Sequence, residues 1–393
     1  MAAEAPPARR WRERLARLPF LIRLLHWEFW PPQVANLPVY GFWLYYALRS
    51  RQLFFFSAAN PAIETGGVLG ESKKKILDQL PDSLKPATLL LPPAAPLEAA
   101  LEQMALAGIA FPVVAKPDVG ERGRAVEKLE DAEALRAYLA QAPGDTLVQT
   151  FVDYPEEYSI LHCRLPGRDS GQITSVCQKI YLSVTGDGRS TLRELICAYP
   201  RARLQLEALK SRLRGRMEEV PAAGQRVELL PIGNHARGAL FLDARHEQDE
   251  ALTRVFDQIS RQLQGIYLCR YDLKCSSMAA LKRGEEFKIL EINGVTGEPA
   301  HIYDPAYPPL RAYADLLRHW RAVYEVSREA RRRGAACMSL AEALRACRAY
   351  RRIVKQYERA APSLSAGLHK PGLLPRMNIQ ATHDFSNSTP SSL

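Results

Sequence analysis

The stretch that decides the fold is GIYLCRYDLKCSSMAALKRGEEFKILEINGVTGEPAHIYDP, residues 265–305. Two apolar runs, GIYLCRYDL and FKILEIN, are rich in β-forming residues and flank a polar, glycine-containing turn. They predict two adjacent strands. Asp272 stands near the end of the first. Glu291 and Asn293 stand near the end of the second, spaced i, i+2, so both side chains leave the same face. All three are oxygen donors. Buried carboxylates are costly unless paired or metal-bound, and magnesium is commonly held by one or two carboxylates plus substrate phosphates. Asp272, Glu291 and Asn293 are therefore expected to be metal ligands.

Arg270 stands two residues before Asp272 and shares its face. The pattern Arg-x-Asp, then Glu-x-Asn on the next strand, resembles the catalytic strands of ATP-grasp ligases, D-alanine–D-alanine ligase in particular. The resemblance implies an α+β chain with the ATP-grasp fold, in which two α+β subdomains clasp ATP. It also implies that Asp272, Glu291 and Asn293 bind two magnesium ions on ATP, with Mn2+ as an alternative, and that Arg270 is catalytic and stabilises the transition state.

Upstream, FPVVAK is a strand ending in Lys116. A tight loop, Gly120-Glu121-Arg122-Gly123, follows, and GRAVEKL returns as a second strand. A strand-end lysine facing a glycine loop is good anion-binding chemistry. The same order of strand, Lys-Pro, glycine loop and strand resembles the ATP-grasp pattern, in which that lysine binds the α-phosphate. Ser72 can cap a helix whose first turn carries Lys73, Lys74 and Lys75, and by position in the resembled family Lys73 is the one expected on ATP phosphate. DAEALRAYLAQ predicts a helix with Asp131 as N-cap.

TLVQTFVDYPEEYSILHCR reads as strand, loop and strand. By the resemblance this is the adenine hinge. Gln149 falls where the family usually has Glu, reading the adenine amino group, backbone near Phe151 completes the adenine contacts, and Glu157 matches the acid on the ribose. VTGDGRSTLRELI resembles a stretch of cyanophycin synthetase-like carboxylate–amine ligases, in which Lys179 matches a position that reaches phosphate. Asn234, His235 and Arg237 are then expected to line the nucleotide and acceptor side. As a loop residue, His235 is expected to be solvated. The resemblance covers roughly residues 70–305.

The chain has 393 residues, 47% hydrophobic and 24% charged, enough for two or three domains. Seven cysteines form no CxxC pair, and the basic, aromatic N-terminus has no small-residue cleavage site. Free thiols in a reducing cytoplasm are expected. Net charge is +10, which suits nucleotide, anionic lipid or nucleic acid. Nucleic acid is not expected, because neither a helix-turn-helix nor an aromatic strand platform is evident.

Residues 1–65 form a basic, aromatic segment. Leu15, Leu18, Ile22 and Leu25 recur at helical spacing among Arg9, Arg10, Arg12, Arg14, Arg17 and Arg23. Leu37–Leu48 is apolar but shorter than the ~20 residues a spanning helix needs. Either this segment packs on the body or it lies in a membrane interface, with Trp27, Trp30, Trp43, Tyr45 and Tyr46 at the headgroups. Residues 66–110 read as lead-in helices and linker, 111–305 as the ATP-grasp domain, 306–360 as two helices forming an αα-hairpin, and 361–393 as a disordered tail.

The resemblance implies an ATP-dependent carboxylate–amine ligase working through an acyl phosphate, cytoplasmic and either free or peripheral at the inner membrane surface, on a small-molecule or lipid-linked carboxylate and an amine. A phosphotransferase of the same fold, or a non-catalytic ATP-binding module, is the alternative.

Overall fold

The computed structural model describes residues 20–21, 27–30, 32–120, 123–230 and 233–360. Most of the basic leucine-bearing stretch, the Glu121–Arg122 pair and the tail from Ala361 lie outside the described residues.

Eleven strands are described: β1 (Thr88–Leu91), β2 (Val113–Pro117), β3 (Glu127–Leu129), β4 (Thr146–Thr150), β5 (Glu156–Arg164), β6 (Gly171–Ile180), β7 (Leu182–Thr185), β8 (Arg226–Leu230), β9 (Leu240–Asp243), β10 (Leu268–Cys275) and β11 (Phe287–Asn293). They form a four-stranded sheet ordered β1-β4-β2-β3, a five-stranded sheet ordered β11-β10-β5-β6-β9, and the pair β7-β8. Every pairing is antiparallel. The chain is thus a mixed α/β protein with a helical, aromatic N-terminal segment.

Each large sheet packs one apolar face against helices, and on the opposite face of the five-stranded sheet Leu161, Cys163 and Leu268 join a further core with Val323, Tyr324 and Val326. In β10 the residues alternate: Cys269, Tyr271, Leu273 and Cys275 enter one core, while Arg270, Asp272 and Lys274 leave the other face. Helix α7 (Glu250–Gln262) closes that core with Leu252, Val255, Phe256 and Ile259, spaced i, i+3, i+4, i+7. Each such side chain contributes about 1.5–3 kcal/mol on burial. Asp249 caps the helix by accepting the Leu252 N–H at 2.8 Å. In the four-stranded sheet, Val113, Ala115 and Val148 pack on Ala100 and Met104 of α3 (Leu97–Leu106) and on Leu135, Tyr138 and Leu139 of α4 (Ala132–Gln141). The opposite face carries Thr88, Gln149 and Lys116. Asp131 caps α4 through the Ala134 N–H at 2.8 Å, as its sequence predicts.

The N-terminal segment packs on the body and also keeps an outward side. Helix α1 (Leu37–Ser50) buries Val39, Tyr46 and Ala47. Tyr46 stacks on Tyr324 of α9 (Pro309–Arg332) at 4.5 Å. Trp27 stacks on Tyr303, and Trp43 joins the core beneath α1. Of the aromatic residues expected at a headgroup boundary, Trp27, Trp43 and Tyr46 therefore face inward, because α9 and the Ala300–Tyr303 turn offer apolar surface to cover. Helix α10 (Leu340–Ala360) sends Ile353 and Tyr357 into the core of the four-stranded sheet, whereas α9 packs on α1 and the Phe55–Ala59 turn. Among the described residues, no helix is long and apolar enough to cross a membrane.

Two backbone turns touch with no side chain between them. A Cβ on Gly67 would lie 2.5 Å from the Gly294 Cα, and one on Gly294 would lie 2.5 Å from the Gly66 carbonyl oxygen. Val295 N–H donates to that oxygen at 3.1 Å, and the Thr296 hydroxyl donates to the Gly67 carbonyl at 2.7 Å. On the other side of this loop, His319 Nε2 meets the Val295 carbonyl at 2.7 Å.

His319 is buried, and desolvation lowers its pKa from 6.5 to about 4. The unfolded chain therefore binds a proton that the folded chain refuses between those values, so stability falls as pH drops from 6.5 toward 4. The His319→Asn variant is expected to lose less stability than the wild-type protein between pH 6.5 and pH 5, by up to about 1.4 kcal/mol per pH unit. Denaturant midpoints at the two pH values check this.

Candidate active site

The polar face of the five-stranded sheet is built by register. Asp272 pairs across the ladder with Glu291 on one side and Ser159 on the other, and Arg270 pairs with Asn293. Glu157 pairs with Lys179 one strand further on. A bulge between Asp272 and Leu273 puts an extra residue in β11. That residue is Leu290, whose carbonyl accepts from Lys116 Nζ at 3.1 Å. Lys116 reaches it from the end of β2, so the two large sheets meet at this lysine.

Asp272 is the most heavily partnered group. Arg270 donates to both its oxygens, Nε to Oδ1 at 3.1 Å and one terminal nitrogen to Oδ2 at 3.2 Å. Asn293 Nδ2 donates to Oδ2 at 3.2 Å, the Ser159 hydroxyl donates to Oδ1, and Lys179 Nζ lies 3.4 Å from Oδ1. Burial works against its charge, yet Arg270 and Lys179 hold its pKa well below the usual carboxylate range. Burial also opposes the charge of Lys179, and Asp272 and Glu157 offset it, leaving the pKa raised. Lys116 is different. Its desolvation outweighs the attraction of Glu291, and its pKa is lowered. An anion arriving beside it would therefore restore a favourable charge balance.

The three adjacent lysines separate cleanly. Ser72 caps α2 (Lys73–Leu77) through the Lys75 N–H at 3.2 Å. Lys74 pairs with Asp78 and Lys75 with Glu64 at the surface. Lys73 alone turns inward, donating to the Gly120 carbonyl and lying 3.8 Å from Glu291 Oε1. Gly120 is thus tied to the site. Gly123 accepts from Arg237 at 3.2 Å and adopts a positive φ against Asn234.

The residues expected around adenine have definite partners. Gln149 takes Lys116 Nζ on its carbonyl at 3.3 Å and donates to the Thr88 hydroxyl at 3.0 Å. The Phe151 N–H donates to the Pro112 carbonyl, and Lys128 and Lys274 sit 4.3 and 5.0 Å from the Phe151 ring. Glu157 holds Lys179 at 3.1 Å and the Tyr181 hydroxyl at 2.6 Å. A Cβ at Gly233 would fall 2.1 Å from Glu157 Oε1, so any larger residue there would displace this carboxylate from its place.

His235 differs from expectation. It is not solvated: its side chain is 14% exposed, enclosed by Phe29, Phe241 and Tyr303, with Glu28 at 3.8 Å. Desolvation lowers its pKa. Glu28 makes a buried 2.6 Å ion pair with Arg201. Glu28 and Phe29 come from an N-terminal segment whose placement no local pattern reveals.

Lys274, Ser159, Tyr181 and Asp118, whose carboxylate accepts the Lys74 N–H at 2.8 Å, escape the sequence reading. Lys274 was within reach of it, since strand alternation carried two residues past Asp272 puts it on the same face. Ser159 needs the β5–β10 register. Another arrangement, Ser175, His301 and Asp315, joined at 2.8 and 3.1 Å, has nucleophile-base-acid order. Ser175 and His301 are 1% and 0% exposed, so no substrate reaches the hydroxyl. The thiols of Cys163, Cys177, Cys269 and Cys275 are buried, which pushes their pKa values up to about 12 and removes thiolate chemistry.

The donor set for a metal is two carboxylates and one amide. No cluster of three or more His, Cys, Asp and Glu side chains with metal-holding geometry occurs among the described residues. Asn293 spends its amide nitrogen on Asp272, which turns its oxygen into the remaining donor. Glu291 is 30% exposed at its side chain. Such a set fits a hard divalent cation whose shell is completed by phosphate oxygens and water, and does not fit a closed all-protein cage.

No protein-family model matches the chain. No match among curated proteins was found either. Among solved structures the chain is similar to a bifunctional glutathione synthetase from Pasteurella multocida, at 18% identity and a TM-score of 0.36, covering 66% of this chain and 36% of that one. It is also similar to the VanG D-Ala:D-Ser ligase from Enterococcus faecalis, at 10% identity and a TM-score of 0.39, over 67% and 63% of the two chains. For the D-alanine–D-alanine ligase from Bacillus anthracis the values are 14% and 0.37, over 67% and 69%. The chain thus spans about a third of the synthetase and about two thirds of each ligase.

Removing charge from Asp272 would strand Arg270 and Lys179 without their shared counter-charge. Asp272→Asn is expected to destabilise the protein by on the order of 3 kcal/mol, whereas Glu291→Gln changes stability by under about 0.5 kcal/mol. Thermal unfolding of both variants, without nucleotide or metal, tests the contrast.

Proposed function

We propose that the protein is an ATP-dependent carboxylate–amine ligase that forms an acyl phosphate and releases ADP and phosphate. The observation that carries this reading is the convergence of Lys73, Lys116, Lys179 and Arg270 on the Asp272–Glu291 pair where the two sheets meet. With Glu157, which shares Lys179, these four cations face three carboxylates, a surplus of one positive charge that suits a polyphosphate. A carboxylate does not condense with an amine at neutral pH, because its oxygen is a poor leaving group. Transfer of the γ-phosphoryl to a carboxylate oxygen makes that oxygen a good one. The amine nitrogen then attacks the carbonyl carbon, phosphate departs, and the nitrogen loses a proton.

In this proposal Lys116 and Lys73 neutralise ATP phosphates, and Gly120 and Gly123 shape the loop beside them. Gln149 orients Lys116. Phe151 and Glu157 bound the nucleoside, and Lys179 bridges from Glu157 toward the phosphates. Asp272, Glu291 and Asn293 hold magnesium, which when bound supplies charge neutralisation at the phosphoryl oxygens. Arg270, fixed by two bonds to Asp272, faces the reacting carbonyl and stabilises the oxyanion of the tetrahedral intermediate. A lipid-linked or amphiphilic carboxylate suits an enzyme held at a membrane face.

ADP release measured against a panel of acids, with and without amines, tests the reaction class. Amine-dependent turnover and hydroxamate formation with hydroxylamine are expected. Amine-independent ADP release with a stable phosphorylated product identifies a phosphotransferase instead, and ATP binding without any turnover identifies a binding module. Arg270→Ala is expected to lower turnover by ~10²–10³ with ATP affinity little changed. Lys116→Ala is expected mainly to weaken ATP binding, which calorimetric titration reads directly.

A further inference from the structure

We propose that the outward face of α1 docks flat on an anionic lipid bilayer. The helix has two different apolar faces. Val39, Tyr46 and Ala47 fix the inner one to the body. The outer one carries Leu37, Tyr40, Leu44, Tyr45 and Leu48, exposed by 69, 51, 48, 48 and 71%. Those positions form one stripe along the helix at three- and four-residue spacing. A continuous exposed apolar stripe on a firmly packed helix marks an interaction surface.

Length and charge point to lipid. Fourteen residues give about 21 Å of helix, short of a hydrocarbon core of about 30 Å, so the helix lies in the interface plane. No Asp or Glu stands between Glu28 and Glu64. A protein partner's apolar groove would not require that exclusion, whereas an anionic leaflet repels carboxylates. Cations gather at one end of the stripe: Arg49 donates to the Tyr45 hydroxyl at 2.9 Å, Arg331 donates to the Ser50 carbonyl at 3.3 Å, and Arg51 follows the helix directly. Each basic residue near an anionic surface adds about 1 kcal/mol of attraction. The tyrosines keep polar tips for the headgroups. None of these residues belongs to the candidate active site, so the proposal stands independently of the ligase reading.

The test is flotation of the full-length protein with vesicles of phosphatidylglycerol and phosphatidylcholine in equal parts, at low salt. The wild-type protein is expected to float. The Leu44→Glu/Leu48→Glu variant should lose about tenfold or more in bound fraction, with an unchanged thermal midpoint because both side chains are exposed. Leu37→Glu, at the other end of the stripe, should act in the same direction. The Arg49→Gln/Arg51→Gln variant should weaken binding to the mixed vesicles more than to pure phosphatidylcholine. Wild-type protein that stays at the bottom, or leucine variants that float as well as wild type, would overturn the proposal. So would a concentration-dependent dimer in place of flotation, abolished by the leucine variants, since a second copy would then cover the face.

Discussion

The site depends on one carboxylate. Asp272 sits on a central strand, and in that position its neighbours are dictated by register: Arg270 along its own strand, Ser159 and Glu291 across the two ladders, with Asn293 and Lys179 closing over it. Fixing it fixes them. Arg270 is otherwise a long, mobile side chain, and its bidentate grip on Asp272 converts it into a rigid donor. Lys179 is shared between Asp272 and Glu157, so charge balance extends across three strands. The same group is thus a structural counter-ion and a candidate metal ligand. That double use explains why so polar a face can be buried without an ordinary hydrophobic filling.

The second constraint is the meeting of the sheets. Lys116 leaves one sheet and ends on the bulge carbonyl of the other, with Gln149 supporting it from behind. Lys73 performs a similar crossing from α2 to Gly120 and toward Glu291. The Gln149 oxygen and the Leu290 carbonyl give Lys116 hydrogen bonds but do not repay the desolvation of its charge. Phosphate oxygens would be better partners than those now in place, which is the physical sense in which the cleft is prepared for an anion.

How much of this the amino-acid sequence makes legible follows the range of the interactions. Arg270, Asp272, Glu291 and Asn293 are readable because strand parity assigns faces over a few residues, and because the two strands are neighbours in the chain. Lys73 is one of three equivalent lysines locally, and only the packing of α2 separates them. The partners of Gln149 lie on strands 33 and 61 residues away in sequence, so its two hydrogen bonds, with Lys116 and Thr88, have no local signature. His235 is least legible: Phe29 and Glu28, which enclose it, come from the far end of the chain. The aromatic N-terminal run leaves two readings open: packing on the body describes the inner face of α1, and the exposed outer face is the one proposed to meet lipid.

The crossing of Gly66, Gly67 and Gly294 has a bearing on how this chain can vary. Most tight contacts in a protein interior can be repaired when one partner grows, because the opposing side chain can shrink. Here a Cβ added at Gly67 or Gly294 would lie 2.5 Å from the other turn's backbone, and neither partner has anything left to trim. A lesion at either turn therefore has no second-site remedy at the other. The pair is a place where compensation fails, and it stands directly behind Asn293, so drift in the most permissive residue type of the chain is barred where the candidate metal site begins.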